Sequence, residues 1–157
     1  MRIKSLKIKD FRNLRLVEMD DIPDLVVLAG ANGCGKTALL EAIVLAKETM
    51  GQYGERRVDV SQLHAGADHC EIELSIQTSE AERAKVAVVV TQGLPMEAHG
   101  KVRLSRANGP QILDWNTTNF PGLEVLFRTY ERRDAPDVGV VEYFPSTRRL
   151  LPERGRF

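Results

Sequence analysis

Two cysteines in 157 residues, Cys34 and Cys70, cannot build a disulfide framework, and both suit a reducing compartment. The chain also lacks any apolar run of about 18 residues and any secretory leader, so a soluble, cytoplasmic protein without a membrane partner is expected. Net charge is missing as well: 22 Lys and Arg balance 22 Asp and Glu. Any affinity for nucleic acid must therefore come from local patches rather than from the whole chain. There are no internal repeats or low-complexity tracts, and no catalytic triad is legible. His64, His69 and Cys70 stand close together, but their spacing fits no tetrahedral set and a fourth ligand is missing, so zinc is not read from them. With hydrophobic residues at 43%, this length can bury a core as one domain or as part of a larger one.

The stretch around which the chain is organised is Leu25 to Leu45, LVVLAGANGCGKTALLEAIVL. It reads as an apolar strand, a glycine-rich turn and a helix. Gly30-Ala31-Asn32-Gly33-Cys34-Gly35-Lys36-Thr37 fits the phosphate-binding loop pattern G-x-x-x-x-G-K-[ST] at every specified position. Gly30, Gly33 and Gly35 permit backbone geometry in which successive N–H groups turn inward around phosphate oxygens. The helix expected over 37–50 adds roughly half a positive charge at its N-terminus, beside Ala38. In this pattern the Lys36 ammonium reaches the β and γ phosphates, and the Thr37 hydroxyl serves Mg2+. Cys34 fills a free position: a helix N-terminus can make a thiol oxidisable, and the plainer reading is a small tolerated residue.

Taken in order, residues 1–19 read as a β-hairpin whose apolar alternation slips between Ile3 and Leu6 and again at Phe11, which predicts bulges. Arg2, Lys4, Lys7, Lys9, Arg12 and Arg15 face only Asp10 before residue 17, so this edge is read either as a phosphate contact or as lysine protection of a strand edge. Asp20 to Asp24 is a turn. Beyond the helix, Gly51 to Gly54 stops it. Strands are expected at Cys70–Gln77 and Lys85–Thr91, joined by a polar turn as a second hairpin, with a third strand at Lys101–Ser105 turned by Ala107 to Pro110. Residues 112–133 fit either strand or helix. Val138–Phe144 reads as a strand, followed by a basic tail with Arg148, Arg149, Arg154 and Arg156. The fold class expected is α/β: a phosphate-loop NTPase lobe, strand–loop–helix, joined to an antiparallel β meander.

Three pieces, IKDFRNL at 8–14, GANGCGKTALLEAI at 30–43 and EYFPSTR at 142–148, give the chain a resemblance to the N-terminal lobe of ABC-type ATPases of the SMC, RecF and OLD-like kind. In that family a strand ending Phe-Arg-Asn or Phe-Arg-Ser precedes an Asn-Gly-x-Gly-Lys loop, as Phe11-Arg12-Asn13 precedes Asn32 here. The resemblance implies a cofactor, Mg-ATP, held by Arg12, Gly30, Asn32, Gly33, Cys34, Gly35, Lys36, Thr37 and Ala38, with Thr37 on the metal. It covers half of an ATPase head. No Leu-Ser-Gly-Gly signature occurs, and Val138 to Glu142, the nearest thing to a metal-binding strand, stands before any signature and reads as an ordinary strand. Residues 1–157 are therefore expected to be an incomplete head whose missing C-terminal lobe, or a second ATPase subunit, completes the site. Catalytic residues are unassigned. The implied partners are DNA and a nuclease or effector.

Two other functions compete on sequence alone. One is a small phosphotransferase with the C-terminal arginines as a lid, and the other is a nucleotide-dependent interaction module without chemistry. A downstream signature and an apolar strand ending Asp-Glu would select the ATPase.

Overall fold

The computed structural model describes residues 1–51, 60–88, 93–106 and 111–112. Strand β1 (Arg2–Phe11) turns at Arg12 and Asn13 into β2 (Leu14–Met19), as the hairpin reading required, with Ile8 opposite Val17 and Phe11 opposite Leu14. The register of β1 against β3 (His69–Gln77) shifts between Ile3 and Ser5, where the alternation slips. At the other slip Asp10 and Arg12 adopt left-handed φ values of 53° and 52° on either side of Phe11. Strands β4 (Glu97–Ser105) and β5 (Gln111–Ile112) extend this, among the described residues, to a five-stranded sheet, antiparallel throughout, in the order β2-β1-β3-β4-β5.

Period-two alternation sorts this sheet into two faces. Leu6 and Ile8 of β1 stand opposite Leu74 and Ile72 of β3, which stand opposite Gly100 and Val102 of β4, and all except the glycine are buried apolar side chains. Helix α1 (Lys36–Gly51) covers this face with Ala38, Ala42, Leu45 and Ala46, a helical spacing in which three alanines let the helix axis come close. The opposite face is charged. Rows run Glu18–Lys7–Glu73–Lys101 and Lys9–Glu71–Arg103 across the strands, with Lys101 2.9 Å from both Glu71 and Glu73.

Three expectations are corrected. Residues 78–83 are not a polar turn leading to a strand at Lys85; helix α2 spans Glu80–Ala87. Ser79 starts it with a capping box: its hydroxyl accepts from the Glu82 N–H at 3.2 Å while the Glu82 carboxylate accepts from the Ser79 N–H at 2.8 Å. That reciprocal cap, followed by Ala81, Glu82, Arg83, Ala84 and Lys85, outweighs the β-branched valines behind it. Strand β4 therefore pairs directly with β3 and begins at Glu97 rather than Lys101, its first inward residues, Ala98 and Gly100, being too small to read as an apolar pattern. The third correction concerns the apolar segment before the phosphate loop: residues 25–29 pair with no strand among the described residues, and Leu25 and Val27 are 80% and 81% exposed. A strand needs a neighbour to satisfy its backbone, and none of β1 to β5 pairs with this segment. Residues 89–91 of the expected strand, the turn at Ala107–Pro110, the segment 113–133, Val138–Phe144 and the basic tail lie outside the described residues.

The buried Glu82 carboxylate is paired with the Met1 ammonium and with Ser79. Burial pushes its pKa up, but the ammonium and the Ser79 hydrogen bonds outweigh this and hold it below the ordinary 4.5. Removing one member of a buried pair leaves the other charge uncompensated, so Glu82→Ala should cost on the order of 3 kcal/mol in urea unfolding. Burial likewise raises Glu71, but Lys101 and Arg103 overcome it and hold the carboxyl at about 2. A depressed folded-state pKa contributes stability that is complete above 4.5 and disappears as pH falls toward 2. Thermal melting between pH 5 and about 2 should therefore show a progressive loss, and Glu71→Gln should flatten part of it.

Candidate functional site

The site forms where three segments meet: the β1–β2 turn, the loop 30–37 with the first turn of α1, and residues 61–65 ahead of β3. Positive φ occurs at Gly30 (152°), Gly33 (81°) and Gly35 (101°). Gly35 strains any substitute through its φ, and a Cβ there would lie 2.4 Å from Leu14 Cδ2 on β2, which would have to shift. The first helical bond of α1 joins the Leu39 N–H to the Gly35 carbonyl at 2.9 Å. The N–H groups of Lys36, Thr37 and Ala38 thus precede the helical ladder, at the positive end of the helix dipole.

Lys36 folds over this loop. Its Nζ donates to the carbonyls of Gly30 and Ala31, both at 2.8 Å, and lies 3.7 Å from Cys34 Sγ. Asn32, Gly33, Gly35, Lys36, Thr37 and Ala38 line a cavity of about 870 Å3, which also takes in Arg12. That volume is within the range of small-molecule sites. Arg12 is half-exposed and its guanidinium is paired with Glu41 of α1. Of the sequence-derived residues, Gly30 and Cys34 do not line the cavity; they contact Lys36 from behind.

Several lining residues were not anticipated. Asn13 Nδ2 donates to the Gly33 carbonyl at 2.8 Å, and Ser61, Leu63, His64 and Ala65 form the wall opposite the loop. Asn13 was visible as the last letter of Phe-Arg-Asn. The wall was not, because it is sequence-distant and is brought to the site by its pairing with the end of β1, Phe11 opposite Leu63. The His64, His69, Cys70 trio does not assemble: His64 faces this cavity, His69 stands 3.9 Å from Glu71, and Cys70 is buried in the core, where desolvation pushes its thiol up to about 11. Among the described residues no group of three or more His, Cys, Asp or Glu is placed to hold a metal.

The fit to a phosphate chain is supported by the Gly35 cradle, the N–H groups of the helix start and an ammonium resting on carbonyl oxygens. Mg2+ is commonly held by few protein ligands, with water and substrate phosphates filling the rest, so Thr37 as a single hydroxyl ligand fits that habit. The basic edge, by contrast, is neither basic nor an edge. Strand β1 lies between β2 and β3, Arg2 pairs with Asp24 at 3.0 Å, Lys4 with Glu97 at 3.6 Å and Lys7 with Glu18 at 2.5 Å. The hydrogen bond that Lys7 donates to the Glu18 carboxylate raises the Lys7 pKa. A lysine committed to a carboxylate releases few counterions from DNA.

Comparison with known proteins points the same way. A family model described as the AAA ATPase domain matches residues 1–89. The DNA replication and repair protein RecF of Anaeromyxobacter dehalogenans is 56% identical over 43 residues, 27% of this chain and 12% of that protein. RecF of Saccharophagus degradans is 51% identical over 41 residues, 26% of this chain and 11% of that protein. The match thus spans about an eighth of these relatives' length. Among solved structures, one from work on ATP-driven dimerisation and DNA-stimulated activation of SMC ATPases superposes with a TM-score of 0.56 at 18% identity, covering 80% of this chain and 76% of that one. The recombination mediator protein RecF with ATP gives 0.53 at 17%, covering 73% of this chain and 26% of that one. The fold is that of the SMC and RecF ATPase heads. No helix among the described residues is long and apolar enough to cross a membrane.

Gly35→Ala should combine a strained φ with the Leu14 clash and lower stability by about 2 kcal/mol or more. Leu14 is itself a core residue, so Leu14→Ala carries its own cost. Denaturant melts of Gly35→Ala, Leu14→Ala and the double variant check this, with the double more stable than the two single losses added together if the contact contributes.

Proposed function

This chain belongs to the AAA ATPase domain family, and on that premise we propose that residues 1–157 form the Mg-ATP-binding lobe of a SMC- and RecF-like ATPase head. The carrying observation is the loop from Gly30 to Thr37, whose free helix-start N–H groups and carbonyl-bound Lys36 ammonium border the large cavity. In the proposed complex Lys36 exchanges the Gly30 and Ala31 carbonyls for β and γ phosphate oxygens, which offer an anionic acceptor in place of a neutral one. Arg12 stands at the rim of the same cavity, where its guanidinium can leave Glu41 for the nucleotide. The Thr37 hydroxyl is the protein ligand for Mg2+, which when bound neutralises charge on the phosphates.

Hydrolysis is proposed to need more than this lobe. The attacking water requires a positioned carboxylate, and the γ phosphate requires donors that close over it. Segment 25–29, which pairs with no strand among the described residues and has Leu25 and Val27 exposed beside the half-buried Leu28, supports a second lobe that adds a strand here, whether in the same polypeptide or in another subunit. The names of the RecF relatives support work in DNA replication and repair, with DNA contacts from surfaces other than β1.

Lys36→Ala should abolish Mg-ATP binding by isothermal titration and leave the circular dichroism spectrum unchanged, since an exposed lysine contributes little to stability. Unchanged affinity would remove the site. The isolated chain should show no ATP turnover above background; robust turnover that disappears in Lys36→Ala would overturn the requirement for a second lobe.

A further inference from the structure

His64 forms part of the wall facing the phosphate loop, and the loop pattern makes no demand on it. Its main-chain N–H donates to the Asp10 carbonyl at 2.8 Å, while the Arg12 N–H donates to the Gln62 carbonyl at 2.7 Å. Phe11 and Leu63 bridge between them. The two segments are thus zipped together, with Arg12 held at a φ of 52° that a side chain rarely adopts.

The imidazole adds two contacts. Nδ1 lies 2.7 Å from the Arg12 carbonyl oxygen, and the Arg15 Nε–H points to Nε2 at 3.3 Å. A carbonyl can only accept and a guanidinium can only donate. Both contacts are met by one species, the neutral ring with its hydrogen on Nδ1, a tautomer assigned from its partners. The Arg12 carbonyl belongs to the peptide plane that leads into Asn13, and the Asn13 carboxamide donates to the Gly33 carbonyl at 2.8 Å. An unbroken series of contacts therefore runs from His64 through that plane into the phosphate loop.

We infer that His64 is a positioning residue for the phosphate loop: by fixing the Arg12–Asn13 peptide plane it keeps Asn13 on Gly33, and so keeps the loop open toward the cavity. This rests on the nucleotide reading of the same site. A loop with three glycines has many conformations to lose on binding, and a side chain that removes some of them beforehand lowers that cost. A neutral hydrogen bond contributes enough for a change in affinity of about 3- to 10-fold. The alternative is that His64 only packs residues 61–65 against β1, in which case its effect on nucleotide affinity would be independent of Asn13.

The test is the Mg-ATP dissociation constant of the full chain, measured below the melting temperature of each variant. His64→Ala and Asn13→Ala should each weaken binding about 3- to 10-fold, and the double variant should be no weaker than the worse single, because both break the same series of contacts. His64→Asn, which retains a donor near the Nδ1 position, should bind within about 2-fold of wild type if that single neutral bond carries the effect. Multiplicative effects in the double variant, or a His64→Asn as weak as His64→Ala, would overturn the positioning role while Lys36→Ala still abolishes binding. Wild-type affinity in Lys36→Ala would instead overturn the nucleotide reading and this inference together.

Discussion

The close seating of α1 on the apolar face of the sheet is the constraint from which the site follows. Ala38, Ala42 and Ala46 are all buried at that contact, and only a stripe this small brings the helix axis near enough for its first residue to meet the β1–β2 hairpin. Once the axis is fixed, Gly35 lies against Leu14 with no room for a methyl group, and Asn13 reaches the Gly33 carbonyl. The phosphate loop is held at both its middle and its end by residues of the hairpin. Its shape is therefore a property of helix-on-sheet packing as much as of its glycines.

Charge is distributed in two different ways on the two sides of the sheet. On the outer face acids and bases alternate across the strands, and Lys7 and Lys101 have raised pKa values because carboxylates hold them. Such rows favour the sheet's own register and leave little field for an external polyanion. At the loop, Lys36 rests on two carbonyl oxygens instead. Neutral partners satisfy an ammonium more weakly than a carboxylate does, so this cation remains available to a phosphate. Arg12, bound to Glu41, lies between these cases: its partner is an acid, yet it borders the cavity.

The open segment 25–29 gives the molecule its asymmetry. Leu25 and Val27 point outward while Val26 and Leu28 line a shallow apolar groove with Leu39, Leu40 and Ile43 of α1. This segment, beside the glycine loop, pairs with no strand among the described residues.

Residue order alone determined the glycine loop, α1, the hairpin and β3, because each is a local signal: a glycine pattern, a helical spacing of alanines and leucines, or a strict alternation such as CEIELSIQ. The capping box at Ser79 and Glu82 was equally local, but valines behind it suggested a strand, and local preferences conflicted. Tertiary structure alone decided the rest. It showed that β1 is interior, so its lysines stand beside Glu18, Glu97 and the β3 carboxylates; one-dimensional counting sees only like charges adjacent in sequence. It extended β4 over Ala98 and Gly100, whose burial depends on the helix above them. It brought His64, some 50 residues beyond Arg12, onto the Arg12 carbonyl. Patterns fix which face a residue turns to, but which face meets which is settled only when the sheet closes and the helix comes down on it.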